Sequence, residues 1–243
     1  MQAAGRVVAT ALQEIRKHAA VGVSLAELDQ VARSVLAEHG ATSPFLGYQP
    51  SFAHTPFPAV ICASVNDAAL HGIPGAYKLA DGDLVSIDIG ATLNGWTGDS
   101  AVSFTVGTPR PADLRLIETA ERALAAGIAA AVPGGRIGDV SAAIGAVARK
   151  AGYGLHTDFG GHGVGRTMHE APSVPNDGKA GRGMKLEPGL VIAIEPWFMA
   201  GGKDTYRVDP DGWTLRSGDG SRAAHVEHTV AVTADGPLVL TAL

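Results

Sequence analysis

The sequence predicts an α+β fold in which a helix-helix-strand-strand unit occurs twice. Two observations carry this. Helical periodicity and strand-like runs occupy separate stretches of chain, and the second half repeats the order of the first. AVGVSLAELDQVARSVLAEHGA, from Ala20, aligns with AVPGGRIGDVSAAIGAVARKAGY, from Ala131. DGDLVSID, ending at Asp88, aligns with PGLVIAIE, ending at Glu195. GDSAVSFTVG, carrying Asp99, resembles VEHTVAVTADG, carrying Glu227. The competing account is chance similarity among Ala-, Val- and Gly-rich segments. A true duplication would set equivalent residues opposite each other about a pseudo-two-fold axis. No flexible linker separates the halves, so residues 1–243 are read as one domain with an internal pseudo-repeat, roughly 1–110 and 111–243.

The elements follow in order. Val7, Val8, Ala11, Leu12 and Ile15 mark one face of an amphipathic helix. Ser24 and Glu27 form a capping box ahead of Leu25, Leu28, Val31, Ala32, Val35 and Leu36, with Gly40 as the stop. Strands are expected at 59–65, 83–90 and 99–106. A second helix pair is expected near 114–131 and 137–150, with Gly152 past its end. Two more strands are expected at 190–198 and 226–232. Glycine clusters near 72–75, 160–165 and 181–183 read as turns.

Composition narrows the class. A chain of 243 residues buries enough apolar surface to fold without disulfides, and the single cysteine, Cys62, can form none internally. A net charge of −5 with no Lys/Arg cluster argues against nucleic-acid binding. No stretch reaches the ~18 apolar residues of a membrane span. The opening segment carries Arg6, Glu14, Arg16 and Lys17, which breaks any signal-peptide core. A cytoplasmic enzyme without membrane attachment is expected. No P-loop, strand-turn-helix G-x-G-x-x-G or G-x-S-x-G elbow is present.

The acids are the anomaly. Asp88 and Glu195 sit in apolar runs, LVSIDI and LVIAIE, that read as strands buried on both faces. An unpaired carboxylate there costs several kcal/mol or takes up a proton. Asp99 and Glu227 each open a further alternating strand. Any one of these acids could be a strand-end cap or half of a salt bridge, but Lys and Arg are absent from the runs. Four carboxylates carry −4 and two divalent cations +4. Oxygen donors with a few imidazoles suit Mn, Fe, Co or Zn. His71, His162 and His169 each lie beside Gly or among Gly/Pro turns that would rim a cleft. Any one of them could be a surface loop residue; their joint setting favours a metal site.

Over nearly its whole length the chain resembles the type I methionine aminopeptidases, which are pita-bread metallopeptidases. The resemblance rests on ICASVNDAALHGIPG (61–75), LVSIDIGATLNGWTGDSAVSF (84–104), GGHGVGRTMHEAP (160–172), LEPGLVIAIEPW (186–197), DGWTL (211–215) and HVEHTVAVT (225–233). It implies two pseudo-symmetric halves whose antiparallel sheet is covered by helices around a dinuclear centre. The implied cofactors are two divalent ions drawn from Co, Mn, Fe, Zn or Ni, with Asp88, Asp99, His162, Glu195 and Glu227 as ligands. The implied reaction is removal of the initiator methionine from nascent chains with a small second residue, a metal-activated bridging hydroxide attacking the scissile carbonyl. Glu195, His71 and His169 would be catalytic, the two histidines also touching substrate. Phe57, Cys62, Met168 and Trp213 would wall the methionine pocket; Cys62 could equally be a small core residue. The segment 43–58, rich in Phe, Pro and Ser, reads as a loop over the pocket mouth. The implied partners are nascent N-termini and a transient ribosome contact, with no nucleic acid or membrane, and the implied state is a monomer.

Two other readings compete. An X-Pro aminopeptidase or dipeptidase on the same fold usually carries an additional N-terminal domain, for which 243 residues leave no space. A non-catalytic binding protein on this fold would have lost metal ligands and gained basic surface.

Overall fold

The chain opens with two helices, α1 (Gln2–His18) and α2 (Leu25–Glu38), and the capping box of α2 forms as expected between Ser24 and Glu27. Four strands follow: β1 (Cys62–Val65), β2 (Ala68–Leu70), β3 (Asp83–Leu93) and β4 (Trp96–Val106). A second helix pair comes next, α3 (Pro111–Ala130) and α4 (Ile137–Ala151). The remaining strands are β5 (Gly161–Gly163), β6 (Glu170–Val174), β7 (Val191–Ile194), β8 (Trp197–Met199) and β9 (Tyr206–Val208). They continue with β10 (Leu215–Ser217), β11 (Ala223–His225), β12 (His228–Thr233) and β13 (Gly236–Val239). This computed structural model describes residues 1–156 and 158–243.

The sheets are antiparallel: β2-β10-β9 and β11-β8 are small, and β1-β3-β4 and β13-β12-β7-β5-β6 are the two main ones. Each helix pair covers one of them. Val8, Leu12 and Ile15 of α1 and Leu28 and Leu36 of α2 bury against Val85, Ile87 and Ile89 of β3. Leu116, Leu124 and Ile144 of α3 and α4 bury against Ile192, Ile194, Val230 and Val232. Burying each such side chain contributes about 1.5–3 kcal/mol, so the helices are fixed by their apolar stripes.

Strand alternation explains why acids occur in these runs. On β3, Val85, Ile87 and Ile89 point to α1 and α2. The residues between them face the other way. Leu84 joins the second core, Ser86 pairs with Ser103 of β4 at 2.7 Å, and Asp88 reaches the interior cleft. The same two-residue period separates Ile192 and Ile194 from Glu195, and Val230 and Val232 from Glu227. The acid-bearing faces of the two sheets therefore meet. Ala101 of β4 and Glu227 exchange backbone hydrogen bonds, and the hydroxyl of Thr229 both accepts from the N–H of Asp99 and donates to its carbonyl. Arg222 adds a further tie, donating to the carbonyl of Gly82 and to the buried Asp113 carboxylate.

Four expectations are corrected in detail. The run 190–198 is two strands, because Pro196 cannot donate to a ladder and restricts Glu195 before it. Asp99 does not open its strand: β4 begins at Trp96, and the Leu93–Trp96 register closes a tight hairpin. Strand β3 runs on to Leu93, past its expected end at 90. Strand β1 starts at Cys62, with the residues from Ala59 to Ile61 outside it.

Candidate metal centre

Asp88, Asp99, His162, Glu195 and Glu227, together with His71 and His169, line one cavity of about 510 Å³. Asp99, His162 and Glu227 are buried; Asp88 and Glu195 are partly open to the cavity. His162 Nε2 lies 3.7 Å from Asp99 Oδ2 and 3.8 Å from Glu195 Oε1. The structure thus brings all five sequence-derived ligand candidates to one place.

His162 does not sit in a turn, as its glycine neighbours suggest, but on strand β5. Those glycines are required by close packing. A Cβ at Gly161 would lie 2.1 Å from the carbonyl oxygen of Ala193, and one at Gly163 would lie 2.2 Å from that of Ala171. The His162 Nδ1 lies 2.9 Å from the carbonyl of Gly163. A carbonyl only accepts, so Nδ1 carries a proton and Nε2 is the nitrogen turned to the acids, the atom that would ligate a cation. That backbone anchor is the usual outer partner of a metal-binding histidine.

The electrostatics of the cluster are those of a cation site. Asp88 Oδ1, Asp99 Oδ1 and Glu227 Oε1 are buried without a hydrogen-bond partner among the described residues. Burial, together with the neighbouring Asp99 and Glu195 charges, holds the Asp88 carboxyl well above the usual range. Glu227 is raised well above its usual value for the same reasons, burial first and then Asp99. Glu195 behaves differently: burial raises it, but the His225 imidazole 3.5 Å away and the fields of His162 and His71 bring it below its usual value. Burial opposes the charge on His162, yet Asp99 and Glu195 raise its pKa overall. Oxygen-rich donors with one imidazole, unpaired and mutually repelling, fit divalent cations.

Above the acids the cavity is aromatic. Phe45, Tyr48, Phe52, Phe57, Cys62, Phe159, Met168 and Trp213 line it. Phe57 and Trp213 meet edge to face at 5.1 Å, and the Trp213 Nε1–H donates to the carbonyl of Thr55 at 3.0 Å. Asp211 accepts the N–H of Trp213 and that of Thr214, which fixes the loop. Cys62 is both core and wall: it packs with Phe57, Met168 and Trp213, and burial pushes its thiol pKa well up. The 43–58 segment supplies four of the wall aromatics. His169 stacks on Tyr48 at 5.1 Å and tilts against His162 at 4.2 Å. His71 has φ +55°, a left-handed conformation uncommon for a side chain of its size, and burial pushes its pKa down to about 4.

Sequence reasoning missed three residues. His225 is buried, with Nε2 3.5 Å from Glu195 Oε2 and 4.0 Å from Glu227 Oε2. Its position two residues before Glu227 was the available signal. Asn176 is fully buried and donates to the carbonyl of Glu195 at 3.0 Å. Phe159 packs edge to face on His71 at 5.4 Å.

The metallopeptidase family M24 matches this chain over residues 1–234. Methionine aminopeptidase 1 of Mycobacterium tuberculosis is 52% identical over 248 residues, an overlap that covers 99% of this chain and 91% of the relative. Among solved structures, the methionine aminopeptidase of Thermotoga maritima superposes with a TM-score of 0.94 at 36% identity, covering 100% of this chain and 95% of the other. The prolidase of Pyrococcus furiosus shares the fold alone, with a TM-score of 0.76 at 22% identity, and this chain covers 62% of it. The architecture and the relatives place the chain among the pita-bread metallopeptidases. It belongs to metallopeptidase family M24, in its methionine aminopeptidase branch.

Proposed function

We infer that this chain is a metal-dependent aminopeptidase that removes the N-terminal methionine from polypeptides with a small second residue. One observation carries the reading: four acids and His162, drawn from both halves, converge at the base of a cavity walled by Phe57, Met168 and Trp213. The internal repeat, roughly 1–110 and 111–243, acts as one catalytic unit because each half supplies two of the acids. We assign Asp88, Asp99, His162, Glu195 and Glu227 as the residues that hold two divalent ions. Bound there, such ions supply Lewis-acid polarisation of the scissile carbonyl and lower the pKa of the attacking water.

The chain's own residues do the rest. Glu195 accepts the proton of the attacking water on a carboxylate oxygen and hands it to the leaving amine. His169, kept below its usual pKa first by burial and then by the field of His162, offers a ring N–H to the developing oxyanion. His71, neutral for the same reason of burial, orients the substrate amide. The acids around the cleft favour a free, positively charged α-amine, which makes the enzyme an exopeptidase. Phe57, Cys62, Met168 and Trp213 enclose the thioether side chain and exclude water. No helix among the described residues is long and apolar enough to cross a membrane. Nascent chains are the natural substrate, which sets the enzyme in the cytoplasm, as a monomer in passing contact with ribosomes.

The test is peptide hydrolysis by metal-free protein titrated with Co, Mn, Fe, Zn and Ni, followed by mass spectrometry. Release of methionine from Met-Ala-Ser, with an X-Pro peptide left intact, is expected. Cleavage of the X-Pro peptide alone, or no hydrolysis with any of these metals, overturns the reading.

A further inference from the structure

His225 belongs to none of the roles assigned above, yet it faces the centre of the acid cluster. It ends β11, which pairs with β8 so that His225 stands opposite Trp197. Its backbone is clamped from the opposite sheet. The His225 N–H reaches Ser86 Oγ at 3.2 Å and Ser103 Oγ at 3.0 Å, and Ser103 Oγ donates to the His225 carbonyl at 2.8 Å. The backbone that carries the ring is thus fixed by strand contacts that need no ion. The ring is 2% exposed, and Nε2 has no conventional hydrogen-bond partner among the described residues.

The geometry divides the Glu195 carboxylate between two imidazoles. Oε1 lies on the His162 side at 3.8 Å, and Oε2 lies on the His225 side at 3.5 Å. The two rings are held differently. His162 Nδ1 is tied to a backbone carbonyl, the usual mark of a ligating histidine. The His225 ring is carried instead on a backbone held by the Ser86 and Ser103 hydroxyls. We propose that His225 is a positioning residue, whose Nε2–H donates to Glu195 Oε2 and holds Glu195 with its other oxygen turned to the metal centre. This rests on the reading of Glu195 and Glu227 as ligands. Unbraced, Glu195 would be free to turn Oε1 away from the His162 side. The donor atoms of Glu195, His225 and Glu227 all lie within 4.8 Å of one another, so direct ligation by His225 is the rival outcome.

The test pairs metal titration with spectroscopy on the intact chain. Metal-free wild type, His225→Ala and His225→Gln are titrated with Mn and Zn against a fluorescent chelator. Zinc-loaded wild type is examined by X-ray absorption, which counts imidazole nitrogens without any variant. The alanine variant should bind one of its two ions ~10–100-fold more weakly, while the glutamine variant, which keeps an N–H donor, should stay within about threefold of wild type. X-ray absorption should find a single imidazole nitrogen shared over the two ions, from His162. Wild type that binds no divalent ion overturns the ligand reading, and the role of His225 with it. Wild-type binding unchanged in His225→Ala, or equal losses in both folded variants, overturns the positioning role alone. A second imidazole nitrogen in the absorption spectrum overturns it too, by making His225 a ligand.

Discussion

Ala101 and Glu227 exchange backbone hydrogen bonds across the two halves: the Glu227 N–H donates to Ala101 at 2.9 Å and the Ala101 N–H returns to Glu227 at 3.4 Å. Two residues from each lie Asp99 and Thr229, whose hydroxyl takes the Asp99 N–H at 2.8 Å and donates to the Asp99 carbonyl at 2.7 Å. The halves are therefore stitched at the acids themselves. Folding and metal geometry share the same bonds.

Thr229→Val should expose that coupling. Valine matches threonine in shape but leaves a buried N–H and a buried C=O of Asp99 without partners. At about 1–3 kcal/mol per orphaned group, a loss of roughly 2–6 kcal/mol is expected in urea unfolding. Because Asp99 loses its backbone brace, divalent-metal affinity should fall in parallel. An unchanged urea midpoint with full metal affinity would show that the hydroxyl is dispensable.

Metal loading should expel protons. Burial and mutual repulsion keep Asp88 and Glu227 protonated in the metal-free fold well above the pH at which the unfolded chain ionises them. Native protein then binds more protons than unfolded protein, so metal-free stability falls as pH rises from the unfolded carboxylate range toward neutrality. A cation must displace those protons, so affinity climbs with pH over the same window. Calorimetric titration in two buffers of different ionisation enthalpy should report about one to two protons released per fully loaded protein. Buffer-independent heats would mean that the acids are already ionised.

Glu195→Gln separates chemistry from folding. Glutamine keeps the size and one donor oxygen of Glu195, and the Asn176 bond survives because it goes to the backbone carbonyl. What is lost is a group able to accept a proton. Steady-state kinetics with Met-Ala-Ser should show kcat reduced ~10²–10⁴-fold, the usual worth of a general acid–base group. Circular dichroism and the urea midpoint should stay near wild type. Wild-type turnover in the variant refutes proton transfer by Glu195.

What could be read from the sequence divides along physical lines. The helices were legible because apolar spacing and caps are local: Val8, Leu12 and Ile15 are all buried in one core, and Ser24 and Glu27 close their box. The acids were legible because charge inside LVSIDI and LVIAIE contradicts the apolar run around it. His162 was legible as a residue but not as a strand, because its flanking glycines answer to the carbonyls of Ala193 and Ala171 from distant segments. His225 was hidden for the same reason, since its aim depends on Ser86 and Ser103. The aromatic walls, with Phe159 on His71 and Tyr48 on His169, come from loops whose meeting has no periodic signal.

His71 should leave a signature in acid stability. Its pKa is pushed from 6.5 down to about 4, chiefly by burial among Phe159 and Trp213. Below 6.5 the unfolded chain takes a proton on this ring that the folded chain refuses, so stability is lost as pH falls from 6.5 toward 4 and levels off beneath it. At about 1.4 kcal/mol per pKa unit, the loss approaches about 3 kcal/mol. His71→Gln removes the titrating ring while keeping a polar side chain at the cavity wall. Urea melts of the metal-free proteins from neutral pH down to pH ~4 should show wild type losing about 2–3 kcal/mol more than the variant. Parallel curves over that range would mean that His71 is protonated as readily in the fold as outside it. It would then face the substrate as a cation, and its role in orienting the amide through a neutral ring would fail.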